Sequence, residues 1–267
     1  MGFFRMLSSD IKRLFLSKRF YMTIVLVIVL YLLTVCTELG MARELFYMID
    51  VRHGLGAFLL AMTILSPIPY GLSYQEDISH NYAYGIEIRV SHRKYCWAKV
   101  IATAVGTFLS VFCGYMIICG ILSFFHPLIS DIAIGNMQVN YQAGVLDPYQ
   151  KYFIWGHPVF YFVSTFATEA AAYSFMAVFT LMVSTKVRNV FILLSVPAVL
   201  YYGNIVLCDI LKLPAIFRWN NTMKLGLRVF SSDPVIVLLE TIVYFAILIF
   251  LAGLVFNWLT ERRRFHG

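Results

Sequence analysis

Two acidic residues interrupt stretches of the sequence that otherwise lack charged side chains. Glu169 lies within the run 152–185, and Glu240 lies within the run 234–260. Because a carboxylate inside a bilayer is costly, such a residue usually faces a cavity, a partner or a proton pathway. Both residues are candidates for lining a translocation path, and Glu169, predicted near the bilayer midplane, is also a candidate proton carrier. The alternative for Glu169 is a protonated, hydrogen-bonded acid that only supports helix packing.

A second candidate site is the polar segment 74–100, YQEDISHNYAYGIEIRVSHRKYCWAKV, which separates two apolar runs. Its acidic start suits a helix N-terminus, and Ile78, Tyr82 and Ile86 follow at steps of four, which predicts a short amphipathic helix. Because exposed apolar and aromatic side chains mark contact sites, the segment is predicted to dock on a soluble partner; the alternative is a solvated connector. The candidate contact residues are Glu76, Asp77, Asn81, Tyr82, Tyr84, Glu87 and Arg89.

Familiar enzyme motifs are absent from the sequence. It contains no Gly-rich loop ending in Lys-Ser/Thr for nucleotide phosphates, no His pair one helical turn apart around a Glu, and no Gly-x-Ser-x-Gly turn. Its five Cys residues form no CxxC pair, so neither a metal site nor a disulfide framework is predicted. The chain is therefore predicted to be no enzyme and to hold no cofactor of its own.

The elements that must position these residues follow from the composition. Of the 267 residues, 60% are hydrophobic and only 13% are charged, against about 25% charged residues in a soluble domain. Since a spanning helix needs about 20 mostly apolar residues, the sequence predicts an all-α integral membrane protein with six transmembrane helices. The predicted spans are 20–38, 56–74, 97–125, 157–184, 188–208 and 234–259, with a basic tail at 260–267.

Residues 1–19, before the first span, predict an amphipathic helix on the membrane surface. Phe3, Leu7, Ile11 and Leu14 recur at steps of four, four and three, with basic and hydroxyl side chains on the other faces. The alternative is a short basic anchor that only orients the chain.

The distribution of basic residues predicts the orientation of the chain. With both termini inside, 14 of the 21 Lys and Arg residues lie in the cytoplasmic flanks of the spans, as the positive-inside rule expects. Both termini are therefore predicted to be cytoplasmic. The net charge of +7 is explained by this asymmetry and by basic residues that contact anionic membrane lipids, so it does not indicate nucleic-acid binding. Arg93, Lys94 and Lys99 are expected to extend toward the lipid headgroups.

In length, number of spans and position of its polar segment, the chain resembles a permease subunit of the type-2 ATP-binding-cassette (ABC) exporter family. That family often has an acidic residue, then a Gly, then Ser-Arg, an aromatic residue and a Lys that leads into the third span. The matching positions are Glu76 or Asp77, Gly85, Ser91 with Arg93, Tyr95 and Lys99. The chain departs from the family pattern where Val90 replaces the usual Pro and where His92 separates the Ser from the Arg.

The resemblance implies that the segment 75–95 forms a short cytoplasmic coupling helix in a cleft of a separate ATPase subunit, which holds ATP and Mg. When ATP drives the closure of the two ATPase subunits, these subunits would then push on Asn81, Tyr82, Tyr84 and Glu87. It also implies a second permease subunit, as a homodimer or a sibling heterodimer, in a bacterial inner membrane. Members without a large external domain export antimicrobial peptides or lipid-linked molecules, so an amphipathic peptide or lipid-like cargo is expected.

Two other functions stay open from the sequence. A proton-coupled secondary transporter would depend on Glu169 and would need no ATPase. A non-transporting membrane anchor or sensor would bind a partner without ATP turnover. The single acid at the midplane and the lack of an inverted repeat count against the secondary transporter.

Overall fold

The computed structural model describes residues 2–36, 44–54, 56–80, 82, 90–214 and 217–266, without the side chains of 50–54 and 263–266. Helices are the only regular secondary structure in this part of the chain, which confirms the all-α prediction. The helices are α1 Phe3–Leu16, α2 Lys18–Val35, α3 Leu45–Gly54, α4 Gly56–Leu65, α5 Ser73–Ser79, α6 His92–Leu122, α7 Asp131–Gln142, α8 Lys151–Ile154, α9 Pro158–Val183, α10 Val190–Ile210, α11 Trp219–Leu225 and α12 Pro234–His266.

Five of these helices are long and apolar enough to cross a membrane, which confirms a multi-pass membrane protein. They are α2, α6, α9, α10 and α12, the last of them apolar from Pro234 to Arg262. The predicted second span, 56–74, is not one continuous helix, because α4 ends at Leu65 and turns follow as far as residue 72. Pro67 and Pro69 account for the break, since proline has no backbone N–H and its ring clashes with the preceding turn of a helix.

The segment from α3 to α5 contacts α6 and the residues after it at three levels, in the reverse order of the sequence. At its start, the backbone N–H of Leu45 donates to Pro127 O, beyond the C-terminal end of α6, at 3.0 Å. Further along, Ser66 O accepts a hydrogen bond from Thr107 Oγ1 at 3.1 Å. At its end, α5 contacts the first turns of α6. The order of these contacts shows that the segment passes α6 in the opposite direction.

Helix α9 lies at the centre of the bundle. Of its most apolar 18-residue window, 83% is buried inside the protein, against 22% to 50% for the other four long helices. Its small side chains, among them Ala170, Ala172 and Ala177, are fully enclosed, and α6 and α12 pack against it. Small residues let helix backbones approach closely inside a membrane. Glu169 thus lies in the most enclosed of these five long helices.

Two glycines of α6 allow the N-terminal helices to pack closely. A Cβ atom at Gly106 would lie 2.7 Å from a methyl group of Leu14 in α1, and a Cβ atom at Gly114 would lie 2.7 Å from a methyl group of Val27 in α2. Both distances are well below van der Waals contact between carbon atoms. Glycine at these positions therefore brings α1 and α2 against the face of α6.

Candidate functional site

A buried ion cluster joins α1, α5 and α6 near the start of α6. At its centre lies Lys99, whose side chain is 0% exposed. Its Nζ atom lies 3.1 Å from Asp10 Oδ1 in α1 and 2.8 Å from Asp77 Oδ2 in α5. A buried cation is tolerated when opposite charges and hydrogen bonds surround it. Each of the three elements contributes one charge to this centre.

Two tyrosines supply further hydrogen bonds to the same carboxylates. Tyr70, in the turn before α5, donates its hydroxyl to Asp10 Oδ1 at 2.7 Å and accepts from Lys99 Nζ at 3.2 Å. Tyr95, one turn before Lys99 in α6, donates its hydroxyl to Asp77 Oδ2 at 2.8 Å. In a low-dielectric interior such bonds strengthen one another. They also fix the orientation of both carboxylates.

Arg13 completes the ion cluster, which consists of Asp10, Arg13, Asp77 and Lys99. The Nη1 atom of Arg13 donates to Asp77 Oδ1 at 2.5 Å, while its side chain stays 42% exposed at the rim. Burial acts to raise the pKa of Asp77, but the charges and hydrogen bonds of Lys99 and Arg13 outweigh burial and hold that pKa below its usual value of 3.8. Asp77 is therefore a carboxylate at neutral pH.

A second ion pair reinforces the connection between the N-terminal helices and α5. Arg19, in the first turn of α2, donates to Glu76 Oε1, and Arg13 Nη2 lies 3.7 Å from Glu76 Oε2. Because the charged groups neutralise one another, the arrangement is suited to holding α1, α2, α5 and α6 together rather than to proton transfer or nucleophilic attack. We call the ion cluster together with the Arg19–Glu76 pair the latch, since it joins α5 of the polar segment to the bundle.

The predicted contact residues of the polar segment are only partly described. Glu76 and Asp77 lie in α5 and belong to the latch, whereas Tyr82 presents its ring to solvent with 60% of its surface exposed. The ring of Tyr82 stacks on that of His80, with centroids 6.0 Å apart. Asn81, Tyr84, Glu87 and Arg89 lie outside the described residues.

One sequence-based expectation in this region is wrong. Lys99 was expected to extend toward lipid headgroups, but its ammonium is enclosed and paired with two carboxylates. The reason is tertiary: α1 packs across α6 and covers this position. Arg93 and Lys94, on the same helix, are exposed.

The sequence interpretation missed the role of Asp10. In the structure the buried stripe of α1 consists of Met6, Asp10 and Leu14, at steps of four. The apolar spacing read from the sequence runs through Phe3, Leu7 and Ile11, which are only half-buried, so it did not mark Asp10 as facing the bundle. A buried carboxylate needs a charged or hydrogen-bonding partner. No local pattern, however, identifies Lys99 as that partner.

Glu169 lies fully buried in α9. It is close enough to Tyr201 of α10 to interact with it electrostatically. A separate pocket of about 250 Å³ lies between α6, α9 and α12, with Phe108, Ala171 and Phe245 among its lining residues. Glu169 does not line this pocket, whose walls are largely apolar.

Glu240 has a different environment from Glu169. It is partly exposed on α12, where its Oε2 atom accepts a hydrogen bond from Val229 N at 2.9 Å and its Oε1 atom accepts one from Phe230 N at 3.2 Å. The carboxylate thus ties the connection before α12 to the second turn of that helix. The contact gives Glu240 an anchoring role at the end of the bundle.

In the described part of the chain, no group of three or more His, Cys, Asp or Glu side chains is placed to hold a metal ion. The arrangement that the structure does offer is the latch, with an exposed aromatic residue just beyond α5. Comparison of the chain with protein-family models, curated proteins and solved structures finds no match.

Proposed function

We propose that the chain is the permease subunit of an ATP-driven ABC exporter, with ATP and Mg held by a separate ATPase subunit. The observation that carries this proposal is the latch, because it connects the polar segment rigidly to the bundle. A docked subunit that pushes on Tyr82 would move α5, and Asp77 would pass that movement to Lys99 in α6. Such a connection is what a coupling helix requires.

The resemblance of the segment 75–95 to a coupling helix supports the same function. Its exposed Tyr82 lies three residues beyond the end of α5 and five residues beyond Asp77 of the latch, so a contact on that ring is close to the latch along the chain. Asn81, Tyr84, Glu87 and Arg89 extend the proposed contact along the sequence. The partners are then the ATPase subunit and a second permease subunit, identical or sibling.

The proposed cargo is an amphipathic peptide or a lipid-like molecule. The apolar pocket between α6, α9 and α12 supports this cargo class, since Phe108 and Phe245 offer carbon surface rather than hydrogen-bonding groups. Pockets that bind apolar ligands are lined in this way. In this proposal Glu169 supports the packing of α9, and Glu240 anchors the connection before α12.

We also propose that the chain crosses the cell membrane six times with both termini in the cytoplasm. Five crossings are the long helices, and the sixth is the broken segment from α3 to the turn before α5, which is bonded to α6 through Ser66 O and Tyr70 O and leaves α5 on the cytoplasmic side. The excess of Lys and Arg on the side of the termini sets the direction.

The first experiment is purification of the tagged protein in mild detergent together with its bound subunits, followed by measurement of ATP hydrolysis. We expect an ATPase subunit to co-purify and its ATP turnover to respond to the permease. The double change Tyr82→Ala/Glu87→Ala should release it. Tyr141→Ala, which removes an exposed aromatic ring from α7, is the matched control and should leave the complex intact.

The outcome that contradicts the proposal is equally specific. If the protein purifies alone, and if transport into vesicles follows a proton gradient and is lost in Glu169→Gln, the protein is a secondary transporter. If Glu169→Gln instead leaves ATP-driven transport unchanged, the carboxylate serves packing, as its full enclosure in α9 suggests.

A further inference from the structure

A pocket of about 550 Å³ lies where α1 ends and α2 begins. On the opposite side it is closed by the turn before α5 and by α5 itself. Its lining includes three cations, Lys12, Arg13 and Arg19, against one carboxylate, Glu76. Asp77 pairs with Arg13 just outside this lining, so the three cations face two carboxylates and one net positive charge remains to attract an anion.

The cations of this pocket keep donor capacity for a ligand. Arg13 and Arg19 are paired with acids of α5, yet their side chains remain 42% and 47% exposed. A guanidinium has five N–H donors, and the contacts to Asp77 and Glu76 leave others available. Lys12 is exposed on the last turns of α1. A bound anion could therefore be contacted without breaking the latch.

The start of α2 adds to the attraction for an anion. The chain is extended at Ser17 and then enters an 18-residue helix, and Ser17 and Arg19 at this helix start line the pocket. The N–H of Arg19 already donates to Ser17 Oγ at 3.3 Å, so the helix dipole is the main contribution of α2 to the attraction for a phosphate group.

Apolar surface borders the same pocket. Leu16, at the end of α1, lines it and is 84% exposed, and Phe15 beside it is also exposed. Because α2 is a candidate membrane span that begins at Lys18, this end of the pocket lies at the membrane surface. Cations next to exposed apolar side chains match a ligand that carries both a phosphate and an acyl chain.

We propose that this pocket binds the phosphate group of an anionic phospholipid. Lys12, Arg13 and Arg19 contact the phosphate, and Leu16 lies along the beginning of an acyl chain. The bound lipid sits against the exposed side of the latch. This inference rests on the pocket alone and does not depend on the exporter proposal.

The test uses the full-length protein in a neutral detergent and measures binding by native mass spectrometry. The probes are a phosphatidylglycerol, a phosphatidylcholine with the same acyl chains, and inorganic phosphate. We expect phosphatidylglycerol to bind preferentially, and Lys12→Gln to weaken its binding by about fivefold, the usual effect of one basic residue at an anionic lipid surface. Lys12→Arg keeps the charge and should retain binding.

Lys18→Gln is the matched control, because it removes one exposed cation at the same helix junction but from outside the pocket lining. It should leave binding within about twofold of the unmodified protein, since its charge is not directed into the pocket. Equal losses in Lys12→Gln and Lys18→Gln would show a diffuse basic surface and overturn the proposal. Binding of inorganic phosphate as tight as that of phosphatidylglycerol would also overturn it, since the ligand would then be a free anion.

Discussion

The charge of Lys99 is stabilised only by what surrounds it. Its ammonium lies within 3.1 Å of one carboxylate and 2.8 Å of another, and the hydroxyl of Tyr70 lies 3.2 Å away. Taking such charges out of water is costly, and their mutual attraction offsets that cost only while all partners are present. The two carboxylates therefore depend on Lys99 as much as Lys99 depends on them.

Replacing Lys99 by Met should destabilise the protein by about 3–5 kcal/mol, the usual cost of leaving a buried charge without its partner. The neutral methionine fills most of the volume but leaves Asp10 and Asp77 facing each other. The measurement is chemical unfolding in detergent, with Lys94→Met as the control, because Lys94 is exposed on the same helix.

A triple variant separates charge from packing at the same position. Adding Asp10→Asn and Asp77→Asn to Lys99→Met removes the two carboxylate charges that lose Lys99 and should recover part of the lost stability; the recovery is partial because Asp77→Asn also takes a partner from Arg13. If Lys99→Met is as stable as the Lys94→Met control, the latch does not hold the helices together.

The stability that Asp77 contributes should depend on pH in one direction. Because its pKa is lowered in the folded protein, the contribution is fully present above the unfolded value of 3.8 and is lost as the pH falls through the lower, folded value. Unfolding of the unmodified protein and of Asp77→Asn should therefore differ at pH 6 and converge below pH 3.8. A difference that grows on acidification would contradict the assigned ion pairs.

At the scale of helices, the contact between α1 and α6 depends on a missing side chain. A Cβ atom at Gly106 would lie 2.7 Å and 2.9 Å from the two methyl groups of Leu14. Leu14 is fully buried, so a shift of its methyl groups must displace neighbouring packed side chains. Gly106→Ala should cost about 1–3 kcal/mol through overpacking, measured by chemical unfolding.

Gly120, on the same helix, provides a direct comparison. No neighbouring atom lies within 4 Å of a Cβ placed there, so Gly120→Ala should be neutral or stabilising by up to about 1 kcal/mol through helix propensity. Leu14→Ala should partly rescue Gly106→Ala, because it removes the two clashing methyl groups. If both alanine variants behave alike, close packing of α1 on α6 is not what Gly106 provides.

The helices that the sequence predicted best are those defined by local pattern. The spacing from Phe3 to Leu14 marks an amphipathic helix, and the structure has a helix over Phe3–Leu16. The predicted span 157–184 agrees closely with the observed helix Pro158–Val183. Such elements need only hydrophobic content and periodicity, which one sequence contains.

Two features of the structure could not be predicted from hydrophobic content and periodicity. The break after Leu65 depends on where Pro67 and Pro69 fall within an apolar run, and the run by itself reads as a continuous span. The pairing of Asp10 with Lys99 depends on how α1 lies across α6, which no local spacing encodes. Glu76 and Asp77 were found as polar residues of the segment, whereas their cationic partners come from distant parts of the chain.

At the scale of the whole molecule, the number of crossings decides where the two ends lie. Five long helices alone would place the termini on opposite sides of the membrane. The broken segment from α3 to α5 changes this if it crosses, because an even number of crossings returns the chain to its starting side. Its contacts run from beyond the C-terminal end of α6, at Pro127, to Tyr95 near its beginning.

Labelling with a membrane-impermeant maleimide should therefore place both ends on one side. In a Cys36→Ala background, Ser8→Cys in α1 and Glu261→Cys near the end of α12 should react in intact cells only after permeabilisation. In the unmodified protein the exposed Cys36, at the far end of α2, should react from outside, while Cys96 and Cys208 are buried. The two engineered positions lie near the two ends of the chain. If one reacts from outside and the other only from inside, the ends lie on opposite sides of the membrane and the number of crossings is five. The segment from α3 to α5 would then fold back without spanning the bilayer, and the six-crossing topology would be wrong.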